Sequence, residues 1–106
     1  MAKSFDPNAL FTQAKRMKED MARVQEDLKQ RMVEGKAPED LVSVVANGLQ
    51  EVEAIRIKPA AIDPDDLEEL EDLILIAVRQ ALDKARALHE TEMSKITGGM
   101  DLPGMF

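Results

Sequence analysis

Residues 44–59 read VVANGLQEVEAIRIKP, and the fold turns on them. Two apolar runs rich in Val and Ile flank Asn47-Gly48. An Asn-Gly pair in that setting is a strong hairpin signal, because a two-residue type I′ turn needs φ > 0 at both positions. Ile55 and Ile57 point one way and Arg56 and Lys58 the other. Pro59 ends the pairing. RMVEGK, residues 31–36, is a candidate for one more strand. Two or three strands do not stand alone. They need a helix over one face, or a second copy of the sheet at the edge.

Outward from the hairpin the period changes to that of helices. Before it, Leu10, Ala14, Met17, Met21, Val24 and Leu28 recur in steps of four and three, which is a heptad seam. Asp6-Pro7 supplies a cap and a first-turn proline. The expected helix runs from about residue 7 to about residue 30, roughly 35 Å at 1.5 Å per residue. Its stripe is narrow, so it touches a partner along one line and leaves its other faces in water. Lys15, Arg16, Arg23 and Lys29 read as one flank, and Glu19, Asp20, Glu26 and Asp27 as the opposite one. The plain reading of these charges is a solvated helix with pairs such as Arg16–Asp20 and Arg23–Asp27.

After the hairpin, IDPDDLEELEDL (62–73) opens a second helix. Asp63 reads as the cap and Pro64 as the first helical residue, with acidic side chains against the helix dipole. Leu67, Leu70, Ile74, Ala77, Ala81 and Leu88 should line one side. Leu73, Ile74, Leu75, Ile76 and Val78 make this stretch apolar all round, and such a helix must be buried all round. One small sheet covers one side only, so the same helix of a second chain is expected over the rest. Those five residues are the expected dimer interface. Gly98-Gly99 should stop the helix. Residues 1–6 and 99–106 read as tails on a single domain spanning 1–106.

Composition narrows what such a fold does. The chain has 106 residues, 44% of them hydrophobic, with seven Met, three Phe and no Trp, Tyr or Cys. Without cysteine there are no disulfides and no thiolate metal sites, and no metal or other cofactor is expected. One histidine, His89, cannot build a typical zinc site, and its plain reading is a solvated helix residue. Ser43, Thr91, Ser94 and Thr97 have no His at a suggestive spacing, and no phosphate-binding glycine motif is present, so neither an enzyme nor a small-molecule substrate is expected. No run approaches the roughly 18 apolar residues of a membrane span. The N-terminus lacks the apolar core of a signal peptide. A soluble cytoplasmic protein is the expectation.

The net charge of −7 by itself argues against a polyanion partner. Its distribution does not. Residues 1–36 carry eight Lys or Arg against six Asp or Glu, whereas residues 59–106 carry four against eleven. Composition and period therefore give a dimeric helix–hairpin–helix protein without an active site. Its projecting helices carry basic residues, and binding is its expected role.

The stretches LFTQAKRMKEDMARVQEDL, LVSVVANGLQEVEAIRIKP, LEDLILIAVRQALDKA and EMSKITGGMDLPGMF, in that order, closely resemble the YbaB/EbfC family of bacterial nucleoid-associated proteins. The resemblance runs from about Leu10 to Phe106. It is most specific at Asn47-Gly48, Leu70-Glu71-Asp72-Leu73, Gly98-Gly99-Met100 and Leu102-Pro103-Gly104. It implies an α+β fold of a long helix, a three-stranded antiparallel sheet and a further long helix. It also implies an intertwined, tweezer-like homodimer with sheets and C-terminal helices as its body. The implied activity is binding of double-stranded DNA with low or modest sequence preference, in nucleoid organisation and gene regulation. One departure stands out. Where the family is rich in glycine before the LVSV strand, this chain has GKAPED, which puts the strand ends there in question.

On that reading Lys15, Arg16, Arg23 and Lys29 of the first helix, followed by Arg79 and Arg86 of the last, are the expected phosphate contacts. No aromatic platform for unstacked single strands is visible. The rival expectation is a protein-interaction adaptor dimer, acting in replication or recombination without touching DNA.

Overall fold

The computed structural model describes residues 6–96. The expected stop at Gly98-Gly99 and the tails, apart from Asp6, lie outside the described residues. The element order is α1 (Pro7–Gln30), β1 (Met32–Lys36), β2 (Val42–Asn47), β3 (Val52–Ile57) and α2 (Leu67–Ile96). The strands form one antiparallel sheet in the order β1-β2-β3. This is the α+β architecture expected, with RMVEGK confirmed as a strand.

Helix α1 starts where the sequence places it. The Asp6 carboxylate accepts the Asn8 amide at 3.0 Å, and Pro7 opens the first turn. Its 24 residues make an arm of about 36 Å. Only Leu28, near its C-terminal end, is buried. The rest stands away from the body, and the molecule measures 79 × 25 × 16 Å.

The Asn47-Gly48 turn differs from expectation. It is a three-residue loop in which Gln50 carries the positive φ, 65°. The Gln50 amide donates to the Asn47 carbonyl at 3.0 Å, and the Asn47 amide donates to the Glu51 carbonyl at 2.9 Å. Gly48 serves a different purpose. Its amide donates to the Leu28 and Arg31 carbonyls at 2.8 and 3.0 Å, which caps the end of α1. A Cβ there would sit 2.7 Å from the Leu28 side chain and 2.8 Å from its carbonyl oxygen. Glycine is needed for close approach, not for a left-handed turn.

The turn with two left-handed residues joins β1 to β2 instead. Glu39 and Asp40 have φ of 59° and 57°, and the Leu41 amide bonds to the Pro38 carbonyl at 3.2 Å. This is the GKAPED segment. Two acidic residues occupy positions that a type I′ turn normally gives to Gly or Asn.

Helix α2 crosses β1 and β2, and its start is shifted from the expected one. Asp63 and Pro64 belong to a separate turn, with the Asp63 carboxylate accepting the Asp65 amide at 3.0 Å. The helix is capped by Asp66, whose carboxylate accepts the Glu69 amide at 3.2 Å. The buried stripe is Leu73, Ala77, Ala81 and Ala85, with Leu70, Ile74, Val78 and Leu82 half-buried beside it. Leu67, expected on that stripe, is exposed. The alanines let the helix backbone approach β1. A Cβ on Gly35 would overlap the Ala77 carbonyl and the Ala81 amide. The core that results is thin: Val42, Val44 and Leu73 are its large members, and the remainder is alanine.

The two edges of the sheet are treated differently. On β1 two outward backbone groups are bonded by α2 side chains, with the Lys36 amide donating to Gln80 Oε1 and Lys84 Nζ donating to the Glu34 carbonyl, both at 2.8 Å. No side chain bonds to the outer edge of β3 among the described residues. Ile55 and Ile57 lie opposite Val44 and Val42 and share their face. Because α2 covers β1 and β2, both isoleucines are left exposed.

Candidate nucleic-acid interface

A solvated α-helix displays its surface in rows, because each residue turns about 100°. Set in these rows, the charges of α1 are interleaved rather than sorted onto two flanks. Lys15 and Lys29 fall on one row and Arg16 and Arg23 on another, and Glu19 and Glu26 lie between them. This corrects the single basic flank expected from the sequence. The ion pairs differ as well. Arg23 bonds Asp20 at 2.7 Å, and Arg31 lies 3.7 Å from Asp27. Arg16, expected to take Asp20, is left without a partner among the described residues.

One row is free of acid. Phe11, Lys15, Lys18, Ala22, Gln25 and Lys29 are spaced by four, three, four, three and four residues, so they run together along the arm. At 1.5 Å per residue the row is roughly 27 Å long. Its three lysines make no ion pair among the described residues, and all six side chains are exposed. Sequence reasoning missed Lys18 and Phe11. The signal was available: Lys18 lies three residues after Lys15, and Phe11 lies four before it.

The two arginines of α2 stand apart from this row. Both are exposed on the helix face turned away from the sheet. Arg86 pairs with Asp83 at 3.0 Å, whereas Arg79 has no ion pair among the described residues. The arm is fixed to α2 at its root, where Arg31 lies 3.4 Å from Glu92. Glu92 also accepts from Lys95 at 2.7 Å. The Lys95 ammonium first, and then the Arg31 guanidinium, hold the Glu92 carboxyl below its ordinary range against the opposing effect of its burial.

The five residues expected at a dimer interface are divided by the fold. Leu73 is buried inside its own subunit, with 8% of its surface accessible, and is not open to a second chain. Ile74 and Val78 are half-buried on the α2 flank away from Gln80, toward the β2–β3 side. Leu75 and Ile76 are exposed, Ile76 on the Gln80 flank over the β1 edge. Ile55, Ile57 and Leu75 are thus exposed, and Ile74 and Val78 half-buried, within the subunit.

Among the described residues no three His, Asp or Glu side chains are placed to hold a metal ion. No helix of the described residues is long and apolar enough to cross a membrane. His89 is half-buried on α2.

The geometry is thus an arm displaying unpaired lysines on an acid-free row, rooted in a small helix-covered sheet. Comparison with known proteins makes this specific. The profile of the YbaB/EbfC DNA-binding family matches residues 3–100. A nucleoid-associated protein of Acetivibrio thermocellus is 51% identical over 100 residues, covering 93% of this chain and 88% of that one. A nucleoid-associated protein of Thermoanaerobacter sp. strain X514 is 46% identical over 102 residues, covering 96% and 92%. The crystal structure of an uncharacterized protein from Helicobacter pylori shares the fold, with a TM-score of 0.68 at 22% identity, over 92% of this chain and 98% of that one. The chain belongs to the YbaB/EbfC DNA-binding family.

Proposed function

We propose that this chain, acting as a single domain over residues 1–106, binds double-stranded DNA as a homodimer. It does so with low sequence preference, and it acts in nucleoid organisation and gene expression. The observation that carries the reading is the acid-free row on a projecting arm, with Lys15, Lys18 and Lys29 all unpaired. Unpaired cations lose no protein partner on meeting phosphate, and their contribution is counterion release. Arg16 joins them from the adjacent row and Arg79 from α2. Arg23 and Arg86 contribute less, since each must leave a carboxylate first.

The homodimer reading rests on the unequal sheet edges and the thin core. The capped β1 edge resists further pairing, while β3 offers an open edge beside exposed Ile55 and Ile57. A second copy seated on β3 and on Ile74, Val78 and Leu75 covers the apolar surface that one subunit leaves in water. Two arms held by one body then act on a single duplex, so the net charge of −7 per chain is no obstacle.

A mobility-shift titration over a salt series tests the reading. With about three phosphate contacts per chain, log affinity falls against log salt with a slope of about −5. The double variant Lys15→Glu with Lys18→Glu weakens binding by at least about tenfold and flattens the slope. A flat response in the unaltered protein rejects the mechanism. The adaptor reading retains one support, the exposed seam residues Leu10, Met17 and Met21. Recovery of a stoichiometric protein partner after nuclease treatment, with no DNA shift at physiological salt, would establish it instead.

A further inference from the structure

We infer that Phe11 is a wedge, inserted between base pairs of the bound duplex so that each arm kinks the DNA it holds. The inference rests on the DNA-binding reading above and adds a contact to bases rather than to phosphates. Phe11 is the only Phe, Tyr or Trp among the described residues, and it stands outside the core with 75% of its surface accessible. The thin core beneath α2 is mostly alanine, with Val42, Val44 and Leu73 its large members, so an aromatic ring left on the arm tip is withheld from the place where it would stabilise most.

The helical seam does not account for the ring. Leu10, Ala14, Met17, Met21 and Val24 form that seam, and a partner helix laid along them would cover Leu10. Phe11 lies about 100° further round, on the row that continues through Lys15 and Lys18. Its nearest row neighbours are thus two unpaired cations, one and two turns away. That combination suits a helix pressed against a groove. The lysines engage the phosphates on either side while the ring meets the base edges. Proteins that bend DNA from the minor groove place apolar side chains, Phe among them, between base steps beside Lys or Arg, and kink the duplex by about 20–90°. Ala22, next along the row, has the short side chain that allows the helix axis to come close.

The test uses the full chain and a duplex carrying 2-aminopurine at one step, with bending read by circular-permutation electrophoresis. The unaltered protein bends the duplex by at least about 20° and raises the 2-aminopurine fluorescence. Phe11→Ala removes both signals while binding within about tenfold and keeping the salt slope, because no phosphate contact is lost. Phe11→Leu retains part of the bend, since leucine also serves as a wedge. Lys15→Glu with Lys18→Glu does the reverse, lowering affinity and slope while the bend persists at saturating protein. An equal bend in Phe11→Ala, or unaltered protein that binds with neither bend nor fluorescence change, overturns the wedge and leaves the DNA reading standing. Loss of self-association in Phe11→Ala assigns the ring to a protein contact and overturns it too. If the unaltered protein binds no duplex at all, the DNA reading fails, and the wedge with it. Phe11 is solvent-exposed within the subunit, so the alanine variant folds.

Discussion

Asn47 is fully buried and uses both ends of its amide. Its Oδ1 accepts the Leu49 and Glu51 amides at 2.9 and 3.1 Å. Its Nδ2 donates to Glu51 Oε1 at 2.7 Å and to Glu53 Oε2 at 3.2 Å. Glu53 is available because it is the extra residue of a bulge, where the register passes from Val45↔Ala54 to Ala46↔Val52. Asn47→Asp keeps the two acceptor bonds but sets a third carboxylate against two others. It should destabilise by about 2–4 kcal/mol in urea unfolding at pH 7, and the deficit should shrink as the pH is lowered and the introduced, buried carboxyl takes up a proton. A deficit independent of pH would show that lost packing, not charge, is the cause. Glu39 makes the opposite case. With φ at 59° and an exposed side chain, Glu39→Gly should raise the unfolding midpoint by an amount equivalent to roughly 0.5 kcal/mol, the left-handed penalty relieved less the entropy cost of glycine. The Asn-Gly pair announced a turn, but its type was not legible. Gly48 is needed for its close approach to Leu28, which lies far away until α1 folds against the loop.

At the scale of elements, the contrast between sheet edges predicts where unwanted association begins. Gln80→Ala with Lys84→Ala uncovers the β1 amide of Lys36 and the carbonyl of Glu34. The double variant should form concentration-dependent species larger than the unaltered protein by sedimentation velocity, because an uncapped edge accepts another strand. The join between α1 and α2 has a pH signature. Glu92 has its folded pKa lowered from its ordinary 4.5 by Lys95 and Arg31, so its stabilisation is present above about 4.5 and is lost as the pH falls through the lower folded value. The gap in melting temperature between unaltered protein and Glu92→Gln should be widest near neutral pH and close below that window. A constant gap would remove the ion pair as its cause. The period of α1 was legible to its ends, Pro7 and Gln30. The orientation of α2 was only partly so. When Leu, Ile and Val occur on every side, periodicity does not say which side meets the sheet, and here Ala77 and Ala81 meet it where Gly35 lets the two backbones come close.

For the whole molecule, the thin core and the open β3 edge predict that one subunit is a poor end point. At micromolar concentration the protein should have twice the subunit mass by light scattering. Ile55→Asp, at a site already 48% exposed in the subunit, should shift it toward the subunit mass without loss of helix by circular dichroism. A stable, well-folded single subunit in dilute neutral solution would leave two arms with nothing to hold them together.

The amino-acid sequence determined the order of elements, the length of the first arm, the presence of a sheet between two helices and the family to which the chain belongs. Each of these follows from signals within a few turns of chain: caps, periods, turn dipeptides and their spacing. The tertiary structure alone decided which left-handed turn is which, which face of α2 is buried and which sheet edge is closed. It also set the rooting of α1 on Gly48 and placed Leu73 inside the subunit while Ile55 and Ile57 stay outside. These depend on contacts between residues remote in sequence, such as Gly35 with Ala77 and Lys36 with Gln80, and no local pattern encodes how closely two backbones approach.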